Sequence, residues 1–345
     1  MRAAHIHGKQ HIEISDVAEP VPGPGEVRIR VDYIGICGSD LHYYYEGANG
    51  AFVVREPLIP GHELSGRIDL DPSGEWESGT PVTLHPATFG RKVEAIADDP
   101  HLWPGGAYLG SASTTPHTQG ALAELIVADR AMVRPLPTSL PIRRAVLAEP
   151  LAVALHGLGK AGDVAGARVL VTGAGPIGLL AVAAAIAAGA GEVHATDVLV
   201  GPLERARRLG ATTTFDVTSE QPPADAYDVV LECSGVAASV SAALRAVRPA
   251  GRVVQVGMVP NEPRPVNLAP FISKEVVYVG TFRFKDEIDE AVRLLDERPE
   301  IEQVITHVVD ADDIVEAFAT AKDSEASGKV VVAVWPAGQT GQPLR

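Results

Sequence analysis

The sequence predicts an α/β chain of two domains, one β-rich and barrel-like, the other a doubly wound parallel sheet that binds a nucleotide. Three observations carry that prediction. The chain has 345 residues, enough for two domains each with its own core. Residues 1–150 read as short strands broken by Pro/Gly turns. From Arg168 strand and helix patterns alternate, the signature of parallel strands joined by helical crossovers.

In the first region Val27-Arg28-Ile29-Arg30-Val31 alternates with period two, and VPGPGE and DPSGEWESGTP mark turns. Several short strands of this kind predict a small antiparallel barrel. PIRRAVLAEPLAVALHGLGK, from Pro141 to Lys160, is predicted helical with a break at Pro150. ARVLVTGAG then reads as strand and glycine turn, PIGLLAVAAAIAAGA as helix, EVHATD as strand, and PLERARRLGA as helix. YDVVLECSG and RVVQVG are strands flanking the helix SVSAALRAVRPAG. The last segment, with an acidic helix near Asp286–Glu297 and a strand at GKVVVAV, leaves this rhythm and is expected to rejoin the first domain.

Composition narrows the function. Apolar residues at 46% and charged residues at 21% are those of a soluble globular protein rather than a disordered one. The net charge of −15 argues against nucleic acid or anionic membrane as partner and leaves a small molecule. Two cysteines suit a reducing compartment. MRAAHIHGKQHIEISD lacks the apolar core of a signal peptide. Val169 to Gly191 is uncharged, but its glycines and Pro176 make it a buried strand and helix rather than a membrane span. The expected location is cytoplasmic.

Gly173-Ala174-Gly175-Pro176-Ile177-Gly178 is G-x-G-x-x-G between a strand and an Ala-rich helix. Glycines there allow a tight turn and close backbone approach, and the helix N-terminus offers N–H groups to a pyrophosphate. Asp197 ends the next strand, about 20 residues on, where a carboxylate accepts from the adenosine ribose. It repels a 2′-phosphate, and Val198, Leu199 and Val200 supply no Arg, so NAD is expected over NADP. This is the Rossmann pattern.

Cys37 in GICGSDLHYYY, His62 and Glu63 in PGHELSG, and Glu149 in AEPL are ligand types of a catalytic zinc. Singly each has a duller reading: a buried thiol, a hydrogen-bonded imidazole, a solvated carboxylate. Beside a nucleotide site they fit alcohol oxidation, with zinc as Lewis acid and the nicotinamide as hydride acceptor. Ser39 and His42 would carry away the proton.

GICGSDLHYY, PGHELSG, AEPLAVALHG, VLVTGAGPIGLL, ECSG, VGMVP and GTFRF occur in the order and spacing of the zinc-containing medium-chain dehydrogenases, sorbitol/polyol branch. The chain resembles that family over nearly its whole length. The resemblance implies a discontinuous GroES-like barrel catalytic domain, 1–150 with 284–345, flanking a Rossmann domain at 151–283. It implies that Cys37 and His62 bind zinc, and that Glu63 and Glu149 stand beside it, one ligating while the other holds the bound water. Ser39 resembles the relay hydroxyl, and Tyr43 and Arg283 resemble pocket residues. Ile177, Asp197, Val256, Gly257, Met258, Thr281 and Phe282 fall where the family contacts NAD. A homodimer or homotetramer is also implied.

Within the branch, HYYYEGANGAFVVREPLIPGHE looks most like L-idonate 5-dehydrogenases, whose sugar-acid substrate calls for a cation such as Arg283. A polyol dehydrogenase acting on sorbitol or xylitol is the close rival. A zinc-free quinone or enone reductase of the same fold would have no use for Cys37, His62 and both glutamates. Two departures stand out. The lobe from His85 to Ser111 has no cysteine where many relatives carry four, so one catalytic ion and no structural zinc of that type is expected; Phe89 and Trp103 are left to hold the lobe. Pro202 stands where relatives have an Arg beside the adenine.

Overall fold

The computed structural model describes residues Met1–Trp335 and divides them between two principal sheets. The first is built around the strand Glu26–Gly35. On one side lie Glu63–Leu70, Pro81–Leu84 and Val133–Pro135, on the other Lys329–Ala333 and Ile305–Asp310, while Leu125–Asp129 also pairs with the central strand. The predicted alternation holds. Val27, Ile29 and Val31 are buried against Leu64, Ile68 and Val332. Arg28 and Arg30 face outward and share Asp69. One pair departs from the antiparallel expectation: Ile305–Asp310 and Lys329–Ala333 run parallel. Helix Ile314–Lys322 crosses between them, and a crossover of that kind returns the chain in the same direction.

The second sheet has six parallel strands, in spatial order Thr213–Asp216, Glu192–Asp197, Arg168–Thr172, Tyr227–Glu232, Val247–Gln255, Val277–Gly280. The chain therefore starts in the middle and winds both ways, leaving a crevice where the order reverses, beyond the carboxyl ends of Arg168–Thr172 and Tyr227–Glu232. The two outermost strands extend the rhythm legible in the sequence. Helix Pro176–Ala187 is buried from Gly178 to Ala185, which is why it is apolar all round. No helix among the described residues is long and apolar enough to cross a membrane.

The helix break near residue 150 falls earlier than predicted. Helix Ile142–Ala145 ends and Ala148–Ala161 begins before Pro150, which lies in the new helix's first turn. A proline costs nothing there, because first-turn N–H groups have no intrahelical partner. Glu149 consequently sits at a helix N-terminus, where the helix dipole favours a carboxylate.

Candidate metal centre and nucleotide cleft

Strand register assembles the cluster. Gly35 lies opposite Glu63 across the antiparallel pair, so Cys37, just past Gly35, and His62, just before Glu63, reach the same end of the sheet. A Cβ on Gly35 would lie 2.2 Å from Glu63 Oε2, so the glycine makes room for that carboxylate. Cys37 caps helix Gly38–Glu46. Asp40 ties the two ligand loops together, accepting from the Cys37 N–H at 3.0 Å and the Gly61 N–H at 3.1 Å. It is buried, and burial raises its pKa.

The ligand atoms of Cys37, His62 and Glu63 lie within 4.8 Å of one another. Glu149 lies outside that trio, its Oε1 accepting from the Tyr108 hydroxyl at 2.5 Å. Burial alone would lower the pKa of His62, but the Cys37 sulfur, helped by Glu149 and Asp40, raises it to about 10. Burial also raises the pKa of Glu149. A buried site this rich in negative charge calls for a cation. Glu63 Oε1 accepts from Lys329 Nζ at 2.7 Å, yet Glu63 Oε2 is buried with no hydrogen-bond partner. A sulfur, an imidazole and a carboxylate gathered in a buried setting, the carboxylate with one oxygen left unpartnered, are the donor set of a zinc site, so these residues fit that metal.

Around the cluster, Tyr43 is buried, its hydroxyl 3.3 Å from Ser111 Oγ and accepting from the Ala112 N–H. The Arg283 guanidinium lies over the Tyr108 ring at 4.1 Å and the Phe282 ring at 4.8 Å. No carboxylate pairs with Arg283 among the described residues, and burial lowers its pKa. Its backbone is held at φ 52°, a costly conformation for a non-glycine residue. The following residues are clamped to keep it so. His85 Nε2 meets the Lys285 carbonyl at 2.9 Å, and Glu287, paired with His156, accepts from the Lys285 and Asp286 N–H groups. His85 and His101 of the lobe, and His117 just beyond it, are all buried. Trp103 Nε1 donates to the Ile96 carbonyl inside the lobe, and Phe89 packs its ring 5.2 Å from that of His85.

Ser39 is half-buried beside Cys37. His42 is not brought into the cluster: its side chain is 54% exposed and pairs with Glu46 at 3.1 Å. Asp40, Tyr108 and Lys329 belong to the site without having been singled out in the sequence. Of these only Asp40 carried a signal, its capping-box spacing from Cys37.

At the cleft, Gly173 has φ 86°, and a Cβ on Gly178 would lie 1.8 Å from the Gly173 carbonyl oxygen, so neither position admits a side chain. Gly175 caps the helix that Pro176 and Ile177 open, with nothing within 4 Å of where its Cβ would be. Open space before free helix N–H groups is what a pyrophosphate requires. Asp197 closes the second strand, accepting from Ala174, Val198 and Leu199 N–H groups. Val256 and Gly257 donate to the Glu232 carbonyl and Thr281 to the Gln255 carbonyl, placing them at the neighbouring strand ends. Met258 and Phe282 are exposed there. Pro202 is buried in the helix after Asp197.

A nucleotide crevice at a sheet's switch point beside a Cys/His/Glu cluster defines a metal-dependent dehydrogenase. Residues 23–138 match the alcohol dehydrogenase GroES-like domain and residues 176–297 the zinc-binding dehydrogenase family, and the chain belongs to the zinc-containing medium-chain alcohol dehydrogenases. It is 34% identical to L-idonate 5-dehydrogenase (NAD(P)(+)) of Escherichia coli over 84% of this chain and 86% of that one. It is 31% identical to human sorbitol dehydrogenase over 92% and 91%. The crystal structure of the Escherichia coli L-idonate 5-dehydrogenase superposes with TM-score 0.89 at 28% identity, covering 96% and 97% of the two chains.

Proposed function

We propose that this enzyme oxidises a secondary hydroxyl of a sugar acid of the L-idonate type to a ketone, using NAD. The observation that carries the reading is Arg283: a half-buried guanidinium stacked on two aromatic rings beside the metal cluster, with no carboxylate partner of its own. Leaving such a cation unpaired is costly unless a ligand anion pairs with it. Zinc held by Cys37, His62 and Glu63 would supply Lewis acidity, and NAD in the crevice would accept hydride. The chain's own residues do the rest. Arg283 binds the carboxylate, Tyr43 and Ser111 orient hydroxyls, and Ser39 passes the proton away from the reacting oxygen. The Asp197 carboxylate disfavours a 2′-phosphate and so selects NAD. With no cysteine in the lobe, a single zinc per chain suffices.

Polyol oxidation is the second reading, favoured by the neutral chain of hydroxyls Tyr43–Ser111–Ser113 and by the similarity to sorbitol dehydrogenase. The exposed edge strand Val277–Gly280, with Val277 and Tyr278 uncovered, supports a homodimer or homotetramer. A cytoplasmic location accords with the two free thiols.

The test is NADH formation with L-idonate, D-gluconate, sorbitol and xylitol, each with NAD and NADP, with zinc counted on the same sample. Turnover of the acid alone, lost in Arg283→Leu through KM, is expected. Turnover of polyols alone, indifferent to that substitution, would overturn the sugar-acid reading.

A further inference from the structure

We propose that Tyr108 is the positioning residue that decides which of the two carboxylates faces the metal, and that it simultaneously sets the pocket's cation in place; this rests on the zinc dehydrogenase reading above. The two glutamates are restrained differently. Glu63 is held through Oε1 by a buried ammonium, Lys329, while Oε2 has no hydrogen-bond partner and a carboxylate oxygen of Glu63 lies within 4.8 Å of the Cys37 and His62 ligand atoms. Glu149 is held through Oε1 by the neutral hydroxyl of Tyr108, outside that trio. Both bonds reach a carboxylate, but only the first joins two opposite full charges in a buried setting, whereas the second ends on a neutral hydroxyl, so Glu63 is the more firmly held carboxylate and Glu149 the releasable one.

Tyr108 is well placed to act on both sides of the site. It is buried, on the short strand Ala107–Tyr108 that pairs with Ala87–Thr88 in the lobe over the cluster. Its ring meets His62 edge to face at 5.3 Å, and its face carries the Arg283 guanidinium at 4.1 Å. The hydroxyl therefore restrains Glu149 while the ring supports Arg283. A phenylalanine would keep the ring and lose only the hydroxyl, so the two roles separate by substitution.

The experiment uses metal-stripped full-length protein reloaded with Co²⁺, whose visible absorption reports coordination without any substrate. In Tyr108→Phe, Glu149 is free to join the metal. The absorption should change in position and intensity as Glu149 enters the coordination sphere, and Co²⁺ should bind about tenfold more tightly, an effect equal in size and opposite in sign to the loss that follows when an outer-shell partner supports its ligand. Glu149→Gln alone should leave the spectrum of the parent, and adding it to Tyr108→Phe should restore that spectrum. Unchanged absorption and affinity in Tyr108→Phe overturn the proposal, as does a changed spectrum in Glu149→Gln alone, which would make Glu149 a resident ligand. For the ring, Tyr108→Leu should raise KM for the sugar acid severalfold relative to a polyol, whereas Tyr108→Phe should not; equal effects on both substrates would remove the role toward Arg283. If no sugar acid or polyol is turned over, the functional reading fails while the cobalt measurement still decides the carboxylate question.

Discussion

The nucleotide crevice and the metal cluster are built on opposite principles. At the crevice the chain subtracts side chains: Gly173, Gly175 and Gly178 clear a path to backbone N–H groups, and Asp197 is anchored by three backbone donors. At the cluster the chain adds charge where water is excluded. Asp40, His62, Glu63, Glu149 and Lys329 are all buried within one region, and they are stable there only because each has a hydrogen bond or an opposite charge. The first site tolerates the absence of its ligand, since an empty glycine turn strands no charge. The second keeps Glu63 Oε2 buried with no hydrogen-bond partner, a cost that a metal bound among Cys37, His62 and Glu63 would lower. Metal should therefore stabilise this fold more than nucleotide does.

The sharpest way to break that contrast is Cys37→Ala. Zinc content and turnover should both fall to background, while NAD binding, measured by fluorescence titration, stays as in the parent because the crevice draws on other segments. Loss of NAD affinity would mean the two sites are not separable. Next in size is Lys329→Met, which leaves Glu63 buried beside no cation. Removing one partner of a buried pair costs about 3–5 kcal/mol. The loss should be largest in metal-stripped protein and partly recovered on adding zinc, read as denaturation midpoints with and without metal. Equal losses in both states would show that Lys329 does not share Glu63 with the metal.

Gly175→Ala sharpens the other half of the comparison. Its Cβ would meet no atom within 4 Å, so the fold and its melting temperature should hold. The methyl group occupies space left for the pyrophosphate, and NAD affinity should drop about tenfold, or about 1.4 kcal/mol. Unaltered affinity would put the dinucleotide elsewhere.

The same opposition explains what could be read from the sequence. A nucleotide turn is local: six consecutive residues, a strand before and a helix after, and Asp197 at a set distance. Cys37, His62 and Glu63 were nameable as ligand types, but their meeting depends on the register that sets Gly35 against Glu63. Lys329, in GKVVVAV, reads only as a strand residue, yet its partner lies 266 positions away. Tyr108 comes from a two-residue strand with no periodicity to detect. Thr213–Asp216 and Val277–Gly280 are likewise too short to show an alternation, although they complete the sheet. Pro150 misled because a breaker inside a helix and a neutral residue in a first turn are the same letter until the helix start is known.

His42 should show the smallest effect, and it tests how far the proton path extends. Proximity to Cys37 in the chain suggested an imidazole relay, but helix Gly38–Glu46 turns the residue to the surface, where it pairs with Glu46 four positions on. An exposed pair at that spacing contributes about 0.3–0.5 kcal/mol. His42→Ala should cost no more than that in stability and should leave kcat and its pH dependence unchanged, whereas Ser39→Ala should lower kcat. A drop in kcat for His42→Ala, restored by added imidazole, would show that the proton leaves through the surface histidine after all. The relay would then run from a buried hydroxyl to a solvent-exposed ring, and the cluster's boundary would lie one helical turn further out.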